Sequence, residues 1–359
     1  MSRKAYLVLE NGTVFEGVSF GAEKETMGEL VFTTSMIGYL ETLTDPSYFG
    51  QVVVQTFPLI GNYGVISADF ESNSPALKGY IVREWCQAPS NFRCEGDLDT
   101  FLKNSGVPGI CGIDTRALTR ILRDNGSLNC KITYSPEVND ALLEEIKSYK
   151  VSNAVESTTT SEIAGYKAEN AECNAVLMDF GTKKSFIDEL LARGCNVTVV
   201  PASTTAEQIK AMNPDGVLLS SGAGNPADNA QIIEEIKKLA EAKVPMFGIN
   251  LGHQLLALSQ GANTAKLKYG HRGASQPIRN TENGGIVNVS QSCGYTVVSD
   301  TVPQSAKVTF VNTNDNTCEA IDYTEIPAFS TQFYPEKSGG AHDTSYMFDR
   351  FVDMMKNNG

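Results

Sequence analysis

The chain has 359 residues, 41% of them apolar and 20% charged. That is the ordinary mix of a soluble globular protein, and it excludes a disordered chain, a collagen or a disulfide mini-protein. At about 150 residues per domain, the length suggests roughly two domains. Lys and Arg number 29 against 42 Asp and Glu, giving a net charge of −13. So acidic a chain repels phosphate backbones, and no nucleic-acid partner is expected.

The eight Cys are scattered without a CxxC pair, which reads as reduced thiols in a cytoplasmic protein. No apolar run reaches the ~18 residues that cross a bilayer, so no membrane partner is expected. The first ten residues turn charged and then strand-like, with no signal-peptide core.

In chain order, the first half reads as short strands and turns. Tyr6-Leu7-Val8-Leu9 precedes Asn11-Gly12, a tight-hairpin signal. Val14-Phe15, Val18-Ser19-Phe20, Leu30-Val31-Phe32 and Gln51 to Gln55 are further strand-like runs. Leu98 to Leu102 reads as a helix. Thr115 to Leu122 is a second one, with apolar residues at 117, 118, 121 and 122 on one face and Asn125-Gly126 as its stop. The polar stretch 151–173, with Ser157-Thr158-Thr159-Thr160-Ser161, reads as an interdomain linker. It would separate domains at 1–150 and 174–359.

Beyond it the rhythm becomes strand, loop, helix. Ala175 to Gly181, Asn196 to Val200, Gly216 to Ser220 and Val244 to Ile249 read as strands. Ser185 to Arg193, Ala230 to Ala242 and Leu251 to Ser259 read as helices. The fold class is therefore α/β: an N-terminal mixed, β-rich domain and then a doubly wound parallel sheet. Sites in such sheets lie beyond the carboxyl ends of the strands.

Three loops at such ends carry chemistry. Ser220-Ser221-Gly222-Ala223-Gly224-Asn225-Pro226 lets backbone N–H groups come close to a ligand, or is a plain turn. Gly248-Ile249-Asn250-Leu251-Gly252 has the shape of a nucleophile elbow. Its tip, where a reactive Cys or Ser would stand, is Asn250; an amide is no nucleophile, yet Asn tolerates positive φ. In the third loop, Phe329 to Glu336, a base and its orienting carboxylate would fit two residues apart. The first of them is Tyr334, a poor base at neutral pH, and the second is Glu336. Only three His occur, at 253, 271 and 342. The first two read as structural and the third as an exposed loop residue.

At these residues the chain resembles the small, glutamine-hydrolysing subunit of carbamoyl phosphate synthetase, a class I glutamine amidotransferase. In the first half the resemblance rests on Phe32-Thr33-Thr34-Ser35-Met36, Gly38-Tyr39, Leu43 to Tyr48, Ile60-Gly61-Asn62, Ser90-Asn91-Phe92-Arg93 and Gly112 to Arg116. In the second it rests on Asp179-Phe180-Gly181, Asn213 to Gly216, Leu251 to Ala257, Lys268 to His271 and His342-Asp343. It implies a Cys–His–Glu triad whose positions are Asn250, Tyr334 and Glu336 here, so two of three members are lost. It also implies a glutamine pocket at Ser47, Gly222, Gly224, Leu251, Gln254, Ser292, Gly294 and Tyr295. Ser292 and Tyr295 depart from the family's Asn and Phe, and Cys293 stands where the family has His.

The resemblance further implies a large-subunit partner, docked on the N-terminal domain in a heterodimer. That partner carries the ATP and metal, so no cofactor is expected in this chain. The expected role is support of carbamoyl phosphate synthesis, for arginine and pyrimidines, from free ammonia. Two other readings stay open: a glutamine-binding sensor without turnover, and a glutaminase with Cys293 as relocated nucleophile.

Overall fold

The computed structural model describes residues 3–336 and 343–358. They form two units, Met1–Ser152 with Lys268–Gly273, and Asn153–Leu267 with Ala274–Gly359. His342 lies outside the described residues.

The first unit holds strands β1 (Lys4–Leu9), β2 (Val14–Gly21), β3 (Thr26–Thr33), β4 (Gln51–Gln55), β5 (Leu59–Ile60), β6 (Gly79–Ile81), β7 (Glu84–Trp85), β8 (Pro108–Cys111) and β9 (Leu128–Thr133). Its helices are α1 (Tyr39–Thr44), α2 (Leu98–Asn104), α3 (Thr115–Asn125) and α4 (Asp140–Ser148). Gly12 adopts φ 85°, which turns β1 back on β2 as an antiparallel pair. The strands close in the order β1-β2-β8-β6-β4-β3-β9, with β9 paired to β1. Asp114 caps α3 by accepting from the Ala117 N–H at 2.9 Å, and Gly126 at φ 94° ends it. Between these stops, Leu118 and Leu122 pack with Leu7, Leu30, Val52 and Ile110 in one core. Trp85 stacks on Phe20, with ring centroids 5.5 Å apart.

The second unit begins with α5 (Ala154–Thr158) and β10 (Ala164–Tyr166). It continues through β11 (Cys173–Phe180), α6 (Lys184–Leu191), β12 (Cys195–Pro201), α7 (Ala206–Ala211), β13 (Gly216–Gly222), α8 (Ala230–Glu241), β14 (Met246–Ile249) and α9 (Leu251–Ser259). Then come β15 (Thr264–Asn280), β16 (Ile286–Val297), β17 (Ala306–Asn312), β18 (Cys318–Tyr323), β19 (Ala328–Thr331) and α10 (Tyr346–Asn358). One ten-stranded sheet runs β10-β12-β11-β13-β14-β19-β18-β17-β15-β16. Its parallel part, β12-β11-β13-β14-β19, starts in the middle and reverses direction once. That is a doubly wound order, in which ligands generally bind beyond the carboxyl ends at the switch point, here beside β11.

Alternation along β11 supplies both cores. Val176, Met178 and Phe180 pack with Leu251, Leu255 and Ile236 on one face, and Ala175 and Leu177 with Phe186 and Phe247 on the other.

The stretch expected as a linker differs. It carries α5 and β10, and β10 extends the sheet antiparallel to β12. Two of its threonines serve the end of β11, while most of its other polar residues are exposed. Thr158 Oγ1 donates to the Phe180 carbonyl at 3.1 Å, and the Thr160 N–H donates to Asp179 at 2.6 Å. As an edge strand, β10 leaves Tyr166 exposed.

Candidate functional site

Four carboxyl ends of the second unit's sheet carry the candidate residues: β11 ends at Phe180, β13 at Gly222, β14 at Ile249 and β19 at Thr331. Between β14 and α9 there is a single residue, Asn250, at φ 57° and ψ −108°. This is the sharp, strained strand-to-helix turn of an elbow, and Asn is among the non-Gly residues that best tolerate positive φ. The glycines on either side admit no side chain. A Cβ on Gly248 would stand 2.7 Å from the Gly252 carbonyl oxygen, and one on Gly252 would stand 2.2 Å from that of Leu219.

Asn250 is buried and fully engaged. Its backbone N–H donates to the Thr331 carbonyl at 2.8 Å, which fixes the tip to β19. Its side-chain Oδ1 accepts from the Leu251 N–H at 2.8 Å, and its Nδ2 donates to the Ser292 carbonyl at 2.9 Å. In elbows of this kind, the N–H after the tip residue is the donor that meets a developing oxyanion. Here the tip's own carboxamide occupies it.

Around the elbow the chain satisfies itself again. The Gln254 amide nitrogen donates to the Tyr295 carbonyl and to Gln332 Oε1, both at 2.8 Å. Behind it, the Gln332 N–H donates to the Glu319 carbonyl at 2.8 Å, and Glu319 accepts from the side chains of Gln291 and Asn312. Gly222 is forced by contact, since a Cβ there would stand 2.4 Å from the Phe180 carbonyl oxygen and 2.7 Å from Leu251. Gly224 adopts φ 92°. The structure thus brings Asn250, Leu251, Gln254, Ser292, Tyr295 and Gly222 together. Cys293 and Gly294 follow Ser292 in β16, and Cys293 is buried. Ser47 belongs to the first unit, where Asp45 accepts from its N–H at 2.8 Å in the turn Pro46–Tyr48.

Tyr334 and Glu336 follow β19. The Tyr334 N–H donates to the Ser290 carbonyl at 2.9 Å, and its ring lies in the core beside Phe186. Glu336 is completely buried and forms an ion pair with Lys183, itself 5% exposed, whose ammonium lies 4.4 Å from the centre of the Tyr334 ring. In the sequence Glu336 stands two residues after a tyrosine rather than an imidazole, and Lys183 carries no assigned role. The available signal was its place just after Asp179-Phe180-Gly181, at a strand's carboxyl end.

His253 is fully buried on α9. Its Nδ1 is 2.8 Å from Ser330 Oγ, and burial pushes its pKa down to about 3. It is a neutral core residue, as the sequence suggests. His271 is buried in the segment that belongs to the first unit. Among the described residues, no group of three or more His, Cys, Asp or Glu is placed to hold a metal ion, and no helix is long and apolar enough to cross a membrane.

A doubly wound sheet with an elbow and small-residue turns at its carboxyl ends is an α/β frame that presents one residue at the elbow tip, as class-I glutamine amidotransferases and other α/β enzymes do. Residues 176–354 match the family model of class-I glutamine amidotransferases, and residues 7–132 match that of the carbamoyl-phosphate synthase small chain, CPSase domain. Over 353 residues the chain is 45% identical to the carbamoyl phosphate synthase small chain of Streptococcus agalactiae, covering 98% of each. Over 349 residues it is 46% identical to that of Clostridium perfringens, covering 97% of this chain and 99% of that one. Among solved structures, a glutamine amidotransferase from Thermotoga maritima matches 52% of this chain and 84% of its own, at 16% identity and a TM-score of 0.38. The chain belongs to the carbamoyl phosphate synthase small-chain family.

Proposed function

We propose that this chain is a small subunit that has lost glutamine hydrolysis. It serves its large subunit, in a heterodimer, as a scaffold or conformational regulator for carbamoyl phosphate made from free ammonia. The observation that carries the reading is Asn250 at the elbow tip. Hydrolysis by this class needs a nucleophile there to form an acyl intermediate, and a carboxamide nitrogen has no free lone pair to offer. The base position agrees. Tyr334 is a phenol buried in the core, and the carboxylate two residues on is held by Lys183 rather than by an imidazole. Losing members of such a unit costs several orders of magnitude in rate.

ATP and metal are assigned to the large subunit, and the product would feed arginine and pyrimidine synthesis. The N-terminal unit is the proposed partner surface; it exposes the large apolar side chains Met36, Ile37 and Phe92. A relocated nucleophile at Cys293 is disfavoured, because that residue is buried and buried structural thiols are inert.

The test reconstitutes the purified chain with its large partner and measures carbamoyl phosphate from ammonia and from glutamine. Synthesis from ammonia alone is expected. Efficient use of glutamine, or an acylated chain trapped during turnover, would overturn the reading.

A further inference from the structure

We propose that Asn250 is also a built-in occupant of the carboxamide site: its own amide fills the position that a ligand amide would take, and so closes the pocket to free glutamine. The inference rests on the reading above, that this site descends from a glutamine site, but it concerns binding rather than turnover.

The geometry is specific. A bound carboxamide offers one carbonyl acceptor and one NH₂ donor. At the elbow the matching protein groups are the Leu251 N–H and the Ser292 carbonyl, and Asn250 meets both, at 2.8 and 2.9 Å. The Leu251 N–H opens the nine-residue helix α9, so it is one of the helix's orphan donors and would otherwise need a ligand or water. A side chain needed only to tolerate positive φ would not have to bond at both ends.

A second, independent feature points the same way. Gln254 has spent both amide hydrogens, on the Tyr295 carbonyl and on Gln332 Oε1. The Gln332 side-chain nitrogen, in a residue only 1% exposed, makes no hydrogen bond. Gln254 is therefore closed to a ligand acceptor, and the one buried donor left over belongs to the Gln332 amide that Gln254 bonds. A ligand amide entering this space must first displace a side chain that is tethered in place and needs no association entropy to bind.

Removing the carboxamide should reopen the site. Asn250→Gly deletes the plug and also suits φ 57°; Asn250→Ala deletes it while keeping a Cβ. The probe is L-glutamine, titrated calorimetrically into the full-length unaltered chain and into both variants, with circular dichroism and thermal melting to verify folding. Glutamine binding at least about 10-fold tighter in the variants than in the unaltered chain is expected. Folded variants that bind no better would overturn the plug, while leaving loss of turnover intact. Ammonia release from glutamine by the unaltered chain would instead overturn loss of turnover.

A second measurement needs no variant. The Leu251 amide of the unaltered chain should exchange slowly with solvent deuterium, and saturating L-glutamine should leave that rate unchanged. Fast exchange of this amide, or a glutamine-dependent change in its rate, would overturn the plug whether or not the variants fold.

Discussion

A lysine ammonium and a glutamate carboxylate sealed in a core are costly to separate. Each charge gives up hydration, and what remains favourable is their mutual attraction and hydrogen bonding. Lys183 and Glu336 make such a pair, and it places a cation against the carboxylate that the resemblance assigns to the triad. Lys183→Met should therefore destabilise the fold by about 3–5 kcal/mol, because Glu336 is then a buried charge without its counter-ion. Lys183→Met with Glu336→Leu should recover most of that loss; urea unfolding of both variants checks it. His253 gives a second prediction at this scale. Its pKa lies near 3 in the folded chain, against 6.5 for an ordinary histidine, so between those values the unfolded chain binds a proton that the folded chain refuses. Stability therefore falls as pH drops from about 6.5 toward 3. His253→Asn cannot titrate, so it should lessen the loss of thermal stability across that window while lowering stability at neutral pH. The substitutions at 250 and 334 were legible in the sequence, because each residue type carries its own chemistry. The Lys183–Glu336 pair was not: the partners lie 153 positions apart, and only the sheet brings them together.

Among the elements, the β14–α9 elbow depends on glycine most directly. With a Cβ at Gly252 only 2.2 Å from a backbone oxygen of β13, Gly252→Ala must push α9 off the sheet. We expect overpacking to cost about 1–3 kcal/mol or more, and thermal melting to show it. Keeping this glycine should matter more than changing Lys238 on α8, half of whose side chain lies in solvent and which pairs with Glu235 at i,i+3. The elements with strong local signals were readable in the sequence. The Asn-Gly turn after β1, the stop of α3 at Gly126 and the apolar run of β14 into α9 all lie within two residues of their expected places. The segment 151–173 was misread because its strand is three residues long, lies at an edge, and sits among mostly exposed polar residues. So short a run carries too little periodicity to be read.

For the whole molecule, the family assignment and the altered elbow together predict a chain that assembles but does not turn over glutamine. The large subunit should co-purify with it, and the complex should draw nitrogen from ammonia. The two halves were unequally legible. The alternation of strand and helix announces a parallel sheet, whereas nothing in the short strands of the first half announces closure, since that depends on β1 pairing with β9 more than a hundred residues later. That closure has a consequence for assembly. A ring of strands with its first and last members zipped together offers no unpaired backbone ladder, so no foreign strand can be stitched onto it. Whatever grips the ring itself, as distinct from the separate two-stranded β5–β7 sheet, must do so through side chains and loop tips, and its affinity should therefore respond to single surface substitutions rather than to the backbone of an added peptide.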